Sequence, residues 1–167
     1  MDIEFVILRL VHIVSGAFWV GAAVFLAFVF EPRIRALGPA IQGPVMGAVG
    51  KVAGPIMGGA GAITIIAGVY MALRLRWGSL DDWFDTGWGW AIAIGFVVSI
   101  AAMALGGATD AAGSKVTGIG EGMAGRPPTP EEAAELQRLS ARVRTLGRSA
   151  AVLVVIAVGS MASARFV

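Results

Sequence analysis

Four stretches of the chain, residues 5–30, 52–73, 87–107 and 149–166, are almost wholly apolar, and each is long enough, or nearly so, to cross a bilayer. An α-helix needs about 20 residues to traverse the ~30 Å hydrocarbon core. Lipid offers nothing to a free backbone N–H or C=O, and none of these runs alternates polar with apolar as a barrel strand must. The expected fold is therefore all-α, an integral membrane bundle of four transmembrane helices forming one domain over residues 1–167. Apolar residues make up 57% of the chain and charged residues 14%, outside the soluble globular range. Asp2 and Glu4 stand where a cleaved leader would carry basic residues, so the first run is expected to be retained.

Loop charge sets the expected orientation. Nine cations, Arg33, Arg35, Lys51, Lys115, Arg126, Arg138, Arg142, Arg144 and Arg148, fall on one side; Arg9, Arg74, Arg76 and Arg165 fall on the other. Cytoplasmic loops carry the excess, so both termini should lie outside the membrane, the bacterial cytoplasmic membrane being the expected one. Trp77, Trp83, Trp88 and Trp90 crowd the second loop, as an interfacial indole belt would. Between the third and fourth runs, residues 108–148 read as a cytoplasmic linker and helix. The glycines of residues 106–128 suggest a flexible linker or a ligand-ordered loop. Thr129, Pro130 and Glu132 then spell a capping-box start. Leu136, Leu139, Val143 and Leu146 recur at helical spacing among charged residues, so an amphipathic helix should run from there into the fourth span.

Gly50, Gly54 and Gly58 recur every four residues at the start of the second run. Such a ridge lets another helix, or a flat cofactor, approach closely. Pro55 within it is expected to kink or delay the helix.

His12, the chain's single histidine, falls inside the first run. An ionisable side chain in the hydrocarbon is costly and marks a functional site or a bond to a neighbouring helix. His12, Gly16, Trp19 and Ala23 share one helical face, small enough to receive a porphyrin with His12 as axial ligand. The expected topology brings Met71 and Met161 to the depth of His12, with Arg9, Arg74 and Arg76 nearby to pair propionates. That constellation suits a b-type heme with His12 as the metal ligand and Met71 or Met161 as the sixth. Alternatively, a second copy supplies another His12 across a homodimer. The same imidazole and thioethers would suit Cu(I). A non-catalytic subunit of a larger membrane complex, with His12 bonded only to a carbonyl, is the third reading.

With no cysteine, disulfides, thiolate metal sites and iron–sulfur clusters are excluded. Ser15 and Ser99 have no spaced acid and base partners, and Gly58–Ala62 lies in an apolar run without a phosphate-loop lysine. A net charge of +2, with the cations beside the membrane, gives nucleic-acid binding no support.

The motif LVHIVSGAFWVGAAVFLAF, a histidine followed seven residues later by tryptophan and then glycine, resembles the first helix of several small membrane families. These are the copper-resistance D proteins, the membrane protoporphyrinogen oxidases and the membrane module of a urate oxidase. The likeness covers about 25 residues of the 167. Resemblance to the protoporphyrinogen oxidases implies heme on His12, for electron transfer or porphyrin oxidation. Resemblance to the copper-resistance proteins implies copper there instead.

Overall fold

The computed structural model describes residues 2–76, 82–123 and 125–167; it is helical nearly throughout, with no strand among the described residues. Helix α1 (Ile3–Val24) passes through a π-helical turn, Phe25–Phe30, into α2 (Glu31–Ala36). Then come α3 (Pro39–Arg76), α4 (Gly87–Gly122) and α5 (Pro130–Ser163). The result is four rods of 34 to 37 residues, each apolar enough to cross a membrane. At 1.5 Å per residue each is about 50 Å long, well beyond the hydrocarbon thickness. Large apolar side chains such as Ile7, Leu10, Val14, Ile66 and Val97 stay exposed on the outside, as lipid-facing surface requires.

Small residues fill the inside. Ala102, Ala151 and Val154 are buried together with Trp19 and Ala23 of α1, so the helices approach closely around one tryptophan. The most extensive interface joins α4 to α5, while α3 lies between α1 and α4. Between α4 and α5, Ser160 donates to the Ala91 carbonyl at 2.7 Å.

Two expectations about helix extent are corrected. The helix that carries the second apolar run begins at Pro39, well before residue 52, and continues through both Pro44 and Pro55. Gly38, at φ 89°, makes the tight left-handed turn that separates it from α2. The glycine-rich segment expected as a linker continues α4 to Gly122. Gly106, Gly107, Gly113, Gly118, Gly120 and Gly122 have open space beside them, so each costs about 1 kcal/mol of helix propensity relative to alanine. Packing outweighs that cost: Ala112 is buried, Thr117 lies against Gly47, and Thr109 faces Gly147. Among the described residues only Met123–Thr129, with Gly125 at φ 85°, remain as connector.

The start of α5 follows the sequence expectation. Glu132 N–H donates to Thr129 Oγ1 at 3.2 Å, and Thr129 N–H donates to a Glu132 carboxylate oxygen at 2.9 Å. Arg126 adds a two-pronged ion pair to the same carboxylate, at 2.6 and 2.5 Å. This guanidinium, with the Thr129 amide, holds the Glu132 carboxyl down at about 2. A depressed carboxyl stabilises the folded cap above the ordinary carboxylate range and loses that contribution as pH falls toward 2. Hydrogen exchange at Glu131–Ala134 is therefore expected to accelerate between about pH 4.5 and pH 2, once intrinsic rates are divided out, and Glu132→Gln should remove most of that dependence.

The glycines that pack α3 are not the four-spaced set. Beside Gly50 and Gly58 there is open space. Gly47, Gly54, Gly61 and Gly68, seven residues apart, make the close approaches. A Cβ at Gly47 would stand 3.3 Å from Thr117, at Gly54 2.9 Å from Asp110, and at Gly61 3.0 Å from both Met103 and Trp19. At Gly68 it would stand 2.8 Å from His12. The partners also step by seven in the opposite direction, through Thr117, Asp110 and Met103 on α4, then Trp19 and His12 on α1. A seven-residue line drifts about 20° per repeat around a straight helix. One row of glycines thus faces α4 at its lower end and α1 at its upper end.

Candidate functional site

His12 sits on the seam between α1 and α3. Its Nδ1 lies 2.7 Å from the Thr64 carbonyl oxygen. A carbonyl only accepts, so Nδ1 carries a proton, and of the two ring nitrogens it is Nε2 that can offer a lone pair. Gly68 makes this reach possible. It stands one turn beyond Thr64, and a Cβ there would come within 2.8 Å of Cε1 and 3.0 Å of Nδ1, but 3.8 Å of Nε2. The ring is therefore pinned along its Nδ1 edge, the arrangement by which a metal-ligating histidine is usually oriented through its other nitrogen.

Hydroxyls extend the polar seam. Ser15 donates to the Val11 carbonyl at 2.6 Å, and Thr64 Oγ1 lies 2.8 Å from both Ser15 Oγ and the Ala60 carbonyl. Thr64 thus meets α1 through its carbonyl and its hydroxyl. Thr64 and Gly68 carry no signal of their own in the sequence, and Ser15 is weighed there only as a nucleophile. The seven-residue glycine spacing was the available signal for Gly68.

The face expected to receive a porphyrin is filled by protein. A Cβ at Gly16 would stand 3.2 Å from Thr64, and Trp19 is buried against Gly61. A porphyrin therefore does not fit between His12, Gly16 and Trp19, because α3 occupies that space. Two open apolar grooves run between α1 and α3 on the outside: one is lined by Phe18, Leu26, Val52 and Ile56, the other by Leu8, Val11, Ile63, Ile66 and Ala67 with Glu4 and Tyr70 at one end, and His12 lines neither. Val11 and Ala67 adjoin His12 and Gly68 in the sequence.

The methionines share the depth of His12 but not its seam. From the level of Gly61, Trp19 and Met103, His12 lies about 10 Å toward the chain termini and Gly95 about 12 Å in the same direction. Met161 packs on Gly95, where a Cβ would meet its Cγ at 2.8 Å, so Met161 belongs to the α4–α5 seam. Met71 is half-buried on α3, almost one turn beyond Gly68. Neither thioether is brought against the imidazole by a contact among the described residues. No group of three or more histidine and carboxylate side chains that would hold a metal ion occurs among them either.

Of the expected propionate partners, Arg74 is already engaged, 3.2 Å from Asp2 and 3.7 Å from Glu4. Tyr70 donates to Glu4 at 2.9 Å and closes this cluster. Arg9 is exposed, with no ion-pair partner among the described residues, and is the free cation nearest His12 in the chain. Arg76 ends α3, and its side chain lies outside the described residues. Trp77 lies outside them as well. In the rest of that loop, Trp83 donates to the Gly89 carbonyl at 3.1 Å and Trp90 to the Phe84 carbonyl at 3.0 Å. These two indoles fold the loop on itself with their rings still partly exposed.

No family model, curated protein or solved structure gave a significant match to the chain.

Proposed function

We propose that the chain is a membrane-embedded b-type heme protein serving electron transfer or porphyrin oxidation, with the Nε2 lone pair of His12 as the axial ligand. The observation that carries this reading is the 2.7 Å contact between Nδ1 and the Thr64 carbonyl, which fixes the tautomer and leaves Nε2 available. Bound there, heme supplies one-electron redox chemistry. The protein's part is orientation and polarity. Thr64 raises the basicity of the imidazole, Gly68 lets the ring lie against α3, and Leu8, Val11, Ile63 and Ala67 furnish an apolar wall that keeps water away. Arg9 supplies a cation for carboxylates at the membrane surface.

Because α3 fills the inner face and Met161 sits on the far seam, His12 would hold heme on the lipid-facing side of the bundle, and His12 of a second copy would complete its binding. In this reading a symmetric homodimer shares one heme between two first helices. Both termini face outside, following the loop-charge bias. The stoichiometry is the test. Heme measured as its pyridine complex against quantitative amino-acid analysis is expected at one per two chains. One heme per chain, or none at full protein recovery, would sink the shared-histidine arrangement.

The same hydrogen bond favours a second reading, a subunit in which His12 only ties α1 to α3. That protein would be colourless, would carry no copper by elemental analysis, and would co-purify with a membrane partner. Copper held by His12 would instead appear in the elemental analysis without a Soret band.

A further inference from the structure

The end of the bundle remote from His12 carries a charge cluster that the heme reading does not use. Glu31 follows directly on the π-helical turn and is buried, at 8% exposure. Its two carboxylate oxygens go to different arginines, Arg148 at 3.3 Å across the α2–α5 seam and Arg35 at 3.5 Å one turn along. Arg148 is not satisfied by this, since its Nε is sealed from solvent without an acceptor among the described residues. The Glu31–Arg148 pair sets the register of two antiparallel helices. One turn farther, about 6 Å, Arg35 on α2 and Arg144 on α5 come to the same level. Arg144 is half-buried and has no ion-pair partner among the described residues. Two guanidinium groups thus share a single carboxylate, and with Arg144 at the level of Arg35 this end of the bundle holds two more arginine charges than the one carboxylate neutralises.

Depth indicates what could neutralise them. About 39 Å of helix separates Glu31 from Phe5 at the other end of the first apolar run, more than the ~30 Å hydrocarbon thickness. The arginines therefore lie at the depth of lipid headgroups. Guanidinium forks match phosphate oxygens, and basic pockets between helices at this depth suit anionic headgroups. We propose that Arg35, Arg144 and Arg148, at this end of α2 and α5, bind the phosphate of an anionic membrane lipid, with Glu31 bridging Arg35 and Arg148 and the buried Arg148 Nε left to donate.

The test uses the full-length protein in mild detergent, with thermal unfolding and native mass spectrometry read against added phosphatidylglycerol, phosphatidylcholine or inorganic phosphate. Phosphatidylglycerol is expected to raise the unfolding midpoint and to be retained at least tenfold more tightly than phosphatidylcholine. Arg35→Gln and Arg144→Gln should each weaken that binding about fivefold, and Arg144→Lys by less. Arg144 has no ion-pair partner among the described residues, so Arg144→Gln should leave the midpoint without lipid nearly unchanged. Equal retention of the two lipids, or unaltered phosphatidylglycerol binding in both glutamine variants, would overturn the proposal. Inorganic phosphate that stabilises as well as the lipid and displaces it would overturn the assignment to a membrane lipid.

Discussion

Gly61→Leu is expected to destabilise the bundle by about 3 kcal/mol, whereas Gly58→Leu should change stability by less than about 0.5 kcal/mol. At Gly61 even a Cβ would come within 3.0 Å of Met103 Cε and 3.0 Å of Trp19 Cε2, and the rest of a leucine would have to displace the buried tryptophan. At Gly58 nothing lies within 4 Å. The leucine there would project into open space and gain helix propensity. Reversible unfolding in mixed micelles, followed by Trp fluorescence and helicity together, measures both. The two glycines are three residues apart on one helix, so membrane depth and insertion cost nearly cancel between them. If the four-spaced ridge of Gly50, Gly54 and Gly58 were the packing line, the order of the two effects would reverse.

The second large effect concerns the imidazole. His12→Ala is expected to abolish heme retention while leaving helicity intact, because the ring is half-buried on a seam already packed by Gly16 and Trp19. Gly68→Ala, which replaces no cofactor ligand, should weaken heme retention by about 10- to 100-fold, the usual range when the group orienting a ligating histidine is lost. Its methyl group would occupy space within 3.0 Å of Nδ1 and drive the ring away from the Thr64 carbonyl. Gly59→Ala, with nothing within 4 Å, is the matched control. A histidine serving only to tie two helices predicts a different pattern: all three proteins colourless, and His12→Ala and Gly68→Ala distinguished from wild type by stability alone.

The sequence disclosed most about what lipid dictates. Four apolar runs can only be helices in a bilayer, and the capping box at Thr129 and Glu132 identifies a helix start from side-chain chemistry alone. Sequence reading failed where glycine has two meanings. In α4 six glycines look like a linker, yet Ala112, Thr117 and Thr109 supply enough packing to carry the helix to Gly122. In α3 the four-residue recurrence has the spacing that often marks a close helix pair. The seven-residue recurrence of Gly47, Gly54, Gly61 and Gly68 was equally present. Which line faces a neighbour depends on how α3 is rotated, and its nearly uniform apolarity left that rotation open.

The candidate site was legible at one residue. His12 stands out because a histidine in an apolar run is expensive, but its partner is a backbone carbonyl, and a carbonyl has no sequence signature. Thr64 and Gly68 act through the backbone and through an absent side chain. Met71 and Met161 illustrate the opposite error. Depth along a helix can be counted from the sequence, and both do lie near the His12 level, but the seam each occupies depends on helix order around the bundle.

The measurement that bears most directly on His12 is the absorption spectrum of the full-length protein, purified in mild detergent from heme-replete cells, oxidised and then reduced with dithionite. A heme on His12 predicts a Soret band and sharp reduced α and β bands, all lost in His12→Ala. A featureless spectrum at full protein recovery, or bands unchanged in His12→Ala, would contradict it.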